Sequence, residues 1–159
     1  MNSYWLMKSE PDTASIDHLV AAPRHTLAWT GVRNYQARNF MRDTMQPGDG
    51  VLFYHSSCPQ PGIAGIARVI GQAQPDPTQF DDTSPYFDAT SRPEPEPLRW
   101  LLRDVALVNK TRLLALAEMC AAPALASMQV LQRGNRPSIT PVTPAEWRAV
   151  LALLDSPAA

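Results

Sequence analysis

Apolar residues come in short bursts along this chain, and each burst is closed by a proline, a glycine or a capping side chain. Tyr4-Trp5-Leu6-Met7-Lys8 reads as a first strand, ended by Pro11. Ser15 can cap a short helix that runs to Ala22 and stops at Pro23. Thr26-Leu27-Ala28-Trp29 reads as a second strand, closed by Gly31. From Val32 to Met45 the spacing turns helical, with Ala37, Phe40, Met41 and Met45 on one face. Pro47-Gly48-Asp49-Gly50 is a turn, followed by the β-rich run Val51 to His55. Gly62 to Ile70 is another strand, with Gly65 as a bulge or a point of close approach.

The stretch from Pro75 to Pro97 changes character. It carries Pro75, Pro77, Pro85, Pro93, Pro95 and Pro97 among the acids Asp76, Asp81, Asp82, Asp88, Glu94 and Glu96. We read it as a long surface loop, a kind of segment that usually has a function or moves. Strand-like sequence resumes over Trp100–Val105, a modest helix follows over Leu113–Cys120, and Ile139 opens a short strand. Thr143-Pro144-Ala145-Glu146 is a helix start with a capping box. Trp147, Val150, Leu151 and Leu154 then share the face that docks on a core. Helices do not alternate strictly with strands, so a doubly wound sheet is disfavoured. The expectation is α+β: a small, largely antiparallel barrel or curled sheet of about six strands with flanking helices.

Composition narrows the class. At 159 residues and 45% hydrophobic, the chain is expected to form one domain, residues 1–156, with a frayed tail at 157–159. A net charge of -1 argues against bulk coating of DNA, so any nucleic-acid binding must come from a local patch. Such a patch exists: Arg24, Arg33, Arg38 and Arg42 fall between His18 and Arg42 with no acid among them. Two cysteines, Cys58 and Cys120, argue against a disulfide framework or a structural zinc site, and no metal or cofactor is expected. The opening residues lack a signal-peptide pattern and no run is long enough to span a membrane, so a cytoplasmic protein is expected.

Chemistry concentrates at three places. Lys8-Ser9-Glu10 sets a cation, a hydroxyl and a carboxylate at a strand end. Trp29 stands beside Thr30, Arg33 and Asn34, an aromatic next to polar donors that can stack on a base and bind its edge. Tyr54-His55-Ser56 closes the third strand. Each set also has a plain reading, as solvated strand ends or, for Trp29, as core. Gln132-Arg133-Gly134-Asn135-Arg136 is a basic turn suited to phosphate. His55 with Cys58 is a nonspecific pairing for a nucleophile, and no phosphate loop, nucleophile elbow or zinc-protease motif is present.

These segments together resemble the EVE domain family of the PUA-like superfamily. The resemblance rests on Tyr4 to Pro11, Gly31 to Phe40, Phe53 to Ser56, Pro61 to Gly65, and Pro141-Val142-Thr143 with the last helix. It covers almost the whole chain. It implies a PUA-like fold, kinship with YTH domains and with domains that receive flipped modified cytosines, and reading of modified bases without catalysis. On that basis Lys8, Ser9, Glu10, Trp29, Thr30, Asn34, Tyr54, His55 and Ser56 would form the base pocket. Arg33, Arg38, Arg133 and Asn135 would contact the backbone of DNA or RNA, single-stranded or with the base flipped out. The chain has Thr30 where family members commonly have Asp, and Gly62 to Ile66 lacks the second tryptophan of YTH cages. Such a pocket suits a modified pyrimidine, a modified cytosine above all, or a looser set of bases. The alternatives are an enzyme using Glu10 and His55 as acid–base groups, or a protein-interaction module using loop 75–97.

Overall fold

A computed structural model describes residues 2–92, 99–134 and 137–155. The expected tail at 157–159 and the acidic end of the proline-rich stretch, residues 93–98, lie outside the described residues. Six strands form one mixed sheet: β1 Tyr4–Ser9, β2 Thr26–Trp29, β3 Gly50–His55, β4 Gly62–Pro75, β5 Leu101–Ala115 and β6 Ile139–Val142. Their order is β2-β5-β4-β3-β1-β6. Every neighbouring pair is antiparallel except β1 with β3. The α+β expectation of about six strands with flanking helices holds. The hydrogen-bonded order is not closed, because β2 and β6 stand at its two ends.

Both faces of the sheet are covered, and strand alternation assigns each side chain to one of two cores. Trp5, Met7, Val51 and Phe53 belong to the first core, and Leu6, Leu52 and Tyr54 to the second. Helix α1 (Ile16–Ala21) and α2 (Tyr35–Asn39) pack on the first face through Ile16, Leu19 and Ala37. Helix α3 (Leu116–Ala121) and α4 (Pro144–Leu154) pack on the second through Met119 and Val150. Gly65 marks a shift in the β4 register, which returns Ile66 to the face that holds Ile63. A Cβ there would lie 2.4 Å from Ile16 Cδ1, so the glycine lets α1 lie close to the sheet.

The caps fall as expected. Ser15 Oγ accepts from His18 N–H, and Thr143 Oγ1 accepts from Glu146 N–H at 3.1 Å. Three segments differ. The helix expected over Val32–Met45 begins only at Tyr35, because Asn34 is extended and its Oδ1 accepts the Ala37 N–H at 2.9 Å. It then widens into a π-helical turn over Phe40–Thr44. Leu113–Ala115 belong to β5, so α3 starts later than its apolar pattern suggests. The described part of the proline-rich stretch keeps to the surface but is anchored from within. Asp76 and Gln79 are fully buried, and Gln79 Nε2 donates to the carbonyls of Asp76 and Trp100.

Two buried ions organise the turns. The Asp49 carboxylate accepts from Ser3 N–H, Gln46 N–H and the Trp5 indole N–H, joining the start of β1 to the turn before β3. Arg103, on β5, donates to the carbonyls of Met41, Met45 and Gly71 and so closes the end of the π turn. Burial lowers its pKa while the charge of Asp49 supports it.

Candidate nucleic-acid interface

A cleft of about 570 Å³ opens where the ends of β1 and β2 approach one another. That volume falls within the roughly 300–1,000 Å³ of small-ligand pockets. Three strands separate β1 from β2 in the sheet order, and the two run in opposite directions. Only a strongly curled sheet lets both ends line one cavity. Lys8, Ser9 and Glu10 form one lip, with Thr13 and Ala14 from the turn behind them. The Glu10 carbonyl accepts from both Thr13 N–H and Ala14 N–H at 2.9 Å, which fixes that turn. Leu27 through Val32 form the opposite side, and Ser56, Tyr86 and Ser138 complete the lining.

Backbone bonds hold the lip. Lys8 N–H donates to Ser138 carbonyl at 2.8 Å, and Ser56 N–H donates to Ser9 carbonyl at 2.9 Å. The flanking strands β3 and β6 thus continue their pairing into the cleft. Half-burial lowers the Lys8 pKa below the ordinary lysine value. Glu10 is exposed. Trp29 is both core and cleft. It is only 7% exposed, packs edge-on against Phe53 at 5.2 Å between centroids, and still lines the cavity.

Six of the anticipated pocket residues therefore meet in one cleft: Lys8, Ser9, Glu10, Trp29, Thr30 and Ser56. Asn34, Tyr54 and His55 are absent from its lining. Asn34 is occupied as the cap of α2. Tyr54 is buried in the second core, and burial raises its pKa. His55 sits on the first face, edge-on to Phe53, and its Nε2 accepts the Ile16 N–H at 3.0 Å. That bond requires the neutral ring, and burial lowers its pKa accordingly, against a smaller opposing pull from Asp17. The lone pair a general base would need is already used.

Of the anticipated phosphate contacts, Arg33 is turned inward. It donates to the Tyr86 carbonyl from both Nε and Nη2, to Asp76 Oδ2 and to Thr78 Oγ1. Arg38 donates to Asn39 Oδ1 and to the Arg99 carbonyl, and lies over the Tyr35 ring. Arg133 is exposed on its turn, and Asn135 lies outside the described residues. Sequence reasoning missed Tyr86 and Ser138, which reach the cleft from distant segments. The adjacent aromatics Tyr86-Phe87 inside an acidic run were the available signal for the first. A second cavity, beside Glu10, Pro11 and Cys58, adjoins this cleft. Among the described residues no His, Cys, Asp and Glu cluster could hold a metal ion, and no helix is long and apolar enough to cross a membrane.

The EVE domain family model matches residues 3–153. Human thymocyte nuclear protein 1 is 40% identical over 171 aligned residues, which cover 96% of this chain and 74% of that protein. A crystal structure of a Pseudomonas putida protein is 49% identical with a TM-score of 0.88, covering 95% of this chain and 99% of the other. A crystal structure of human THYN1 protein in complex with DNA containing 5-methylcytosine is 40% identical with a TM-score of 0.89, covering 99% of this chain and all of the other (100%). The sheet order, the helices and these matches agree, and the chain belongs to the EVE domain family, with its PUA-like α+β fold.

Proposed function

We propose that this chain is a non-catalytic reader of a modified base in nucleic acid, with 5-methylcytosine in DNA as the first ligand to test. The observation that carries the reading is the cleft itself: Lys8, Glu10 and Trp29 line one cavity of about 570 Å³, within the range of small-ligand pockets. The relative solved with 5-methylcytosine-containing DNA supports the choice of ligand. In this reading the base leaves its stack and enters the cleft beside Trp29. Extrusion costs a few kcal/mol, and contact with an aromatic returns about 1–3 kcal/mol. Glu10 accepts from the exocyclic amino group of cytosine, taking the place of the carboxylate that Thr30 does not supply. Lys8 and Ser9 donate to the ring acceptors. Arg33 holds the cleft's own wall instead of a phosphate, so few cations remain for the backbone. Affinity then falls only gently with salt, and single strands bind better than intact duplex.

The committed state of the His55 ring supports a binding role over acid–base chemistry. The test is a titration of short oligonucleotides, DNA and RNA, that differ only at one base: cytosine, 5-methylcytosine, 5-hydroxymethylcytosine or N6-methyladenine. At fixed salt a preference of tenfold or more, about 1.4 kcal/mol, for one modification is expected. Equal affinity for all four overturns the reading.

A further inference from the structure

We infer that Tyr86 is the second aromatic wall of the cleft, and that an Asp76–Arg33 clasp positions it. The inference rests on the reader function proposed above and adds the residue that sets its selectivity. Tyr86 comes from the acidic, proline-rich stretch, far in sequence from β1 and β2, yet it lines the same cavity as Trp29 and Glu10. Its ring lies against Gly31, where a Cβ would stand 2.7–2.9 Å from three of the ring carbons. The chain gives up a side chain at Gly31, at the cleft edge, and the tyrosine ring fills that space.

The backbone of Tyr86 is held on both sides. Its N–H donates to Ser84 Oγ at 3.1 Å, and its carbonyl accepts from Arg33 Nε and Nη2 at 2.9 and 2.6 Å. Arg33 is in turn fixed by Asp76, whose carboxylate is fully buried and also accepts the Gly31 N–H at 2.8 Å. One carboxylate therefore ties the cleft edge at Gly31 to the segment that delivers Tyr86. Two residues on, Asp88 accepts the Trp100 indole N–H at 2.8 Å, and its own N–H donates to the Gln79 carbonyl. The segment is a strap anchored on either side of the ring, so the wall is in place before any ligand arrives. A preset wall loses little freedom on binding. A base entering beside Trp29 meets an aromatic partner there, the role for which β4 offers only Gly62 to Ile66.

The experiment uses the full chain and two single-stranded oligonucleotides that differ only in carrying one cytosine or one 5-methylcytosine. Affinity is measured for the unmodified protein and for Tyr86→Phe, Tyr86→Leu and Arg33→Lys, each checked for folding by circular dichroism. NMR follows the 5-methyl protons of the base, because an aromatic face shifts them upfield. We expect Tyr86→Phe to bind within threefold of the unmodified protein and keep the shift. Tyr86→Leu should lose at least tenfold and shrink the shift. Arg33→Lys, with its fork removed but Tyr86 intact, should fall between the two. Unchanged or tighter binding by folded Tyr86→Leu overturns the inference while leaving the reader function standing. If the unmodified protein binds both strands equally and shows no preference among the four bases of the titration above, the inference and the reader function fall together.

Discussion

Replacing Gly31 with alanine tests the clasp from the inside. Gly31 has φ +81°, a left-handed conformation that costs an L-residue about 1–2 kcal/mol. The added Cβ would also stand 2.7 Å from a Tyr86 ring carbon, against the roughly 3.5–4.0 Å of an ordinary carbon contact. The ring must retreat by about 1 Å, and Arg33 holds its backbone against that movement. Overpacking of this kind costs about 1–3 kcal/mol. The total for Gly31→Ala is then about 2–5 kcal/mol. In a Tyr86→Ala background the clash disappears and only the backbone strain remains, about 1–2 kcal/mol. Urea denaturation of the two single variants and the double variant closes the cycle. A coupling of about 1–3 kcal/mol is expected by difference. Additivity within about 0.5 kcal/mol would mean that the ring and the glycine do not press on each other, and the reasoning would fail.

Asp49→Ala should cost roughly 3–6 kcal/mol, because it leaves three donors, on Ser3, Trp5 and Gln46, without their acceptor. Asp49→Asn, which keeps one oxygen, should cost less than half of that in the same urea assay, and a loss below about 1 kcal/mol for Asp49→Ala counts against the network. Trp29→Ala should cost about 3–5 kcal/mol, since the ring is core as well as cleft, so Trp29→Phe is the better variant for binding studies; a thermal melt unchanged by Trp29→Ala would contradict the burial. His55 makes stability depend on pH. Burial holds its folded pKa below the unfolded value of about 6.5, so its contribution is complete above that pH and is lost as pH falls toward the folded pKa. Denaturation at pH 7.5, 6.5 and 5.5 should show a downward slope that His55→Gln flattens, and an equal slope in that variant rules His55 out as its source.

The parts of this fold that the sequence announces are those made by neighbours in the chain. Ser15, Asn34 and the Thr143-Pro144-Glu146 set act on backbone groups within four residues, and each element begins where its cap permits. Asn34 still reads as a pocket residue from sequence, because a capping side chain and a base-reading side chain look alike until the helix start is known. The long antiparallel pairing of β4 with β5 is legible only in part. Its outer ends carry Gln74 and Pro75 opposite Leu102 and Leu101, where no alternation signals a strand. For the site, the strand ends at Lys8-Ser9-Glu10 and Trp29-Thr30 were legible as clusters of chemistry. Tyr86 was not, since the contacts that bring the acidic stretch back to Gly31, through Asp76 and Arg33, join residues more than forty positions apart. Arg33 and Arg38 carried a positive field in the sequence, but a guanidinium with carbonyl partners far along the chain is spent on the fold.

The place of β1 in the sheet has a kinetic consequence. Its neighbours are β3 and β6, so Tyr4 faces both Gly50 and Val142 across the two pairings. Pairing residues from opposite ends of a chain requires closing a very long loop, and folds rich in such contacts cross their barrier slowly. In the lip, Lys8 N–H donates to the carbonyl of Ser138, next to β6. The lip of the cleft therefore needs residues 4–9 and 138–142 in place together. Anything that loosens β6 takes the Ser138 partner from Lys8, so the edge of the sheet and the lip of the cleft stand or fall as one unit.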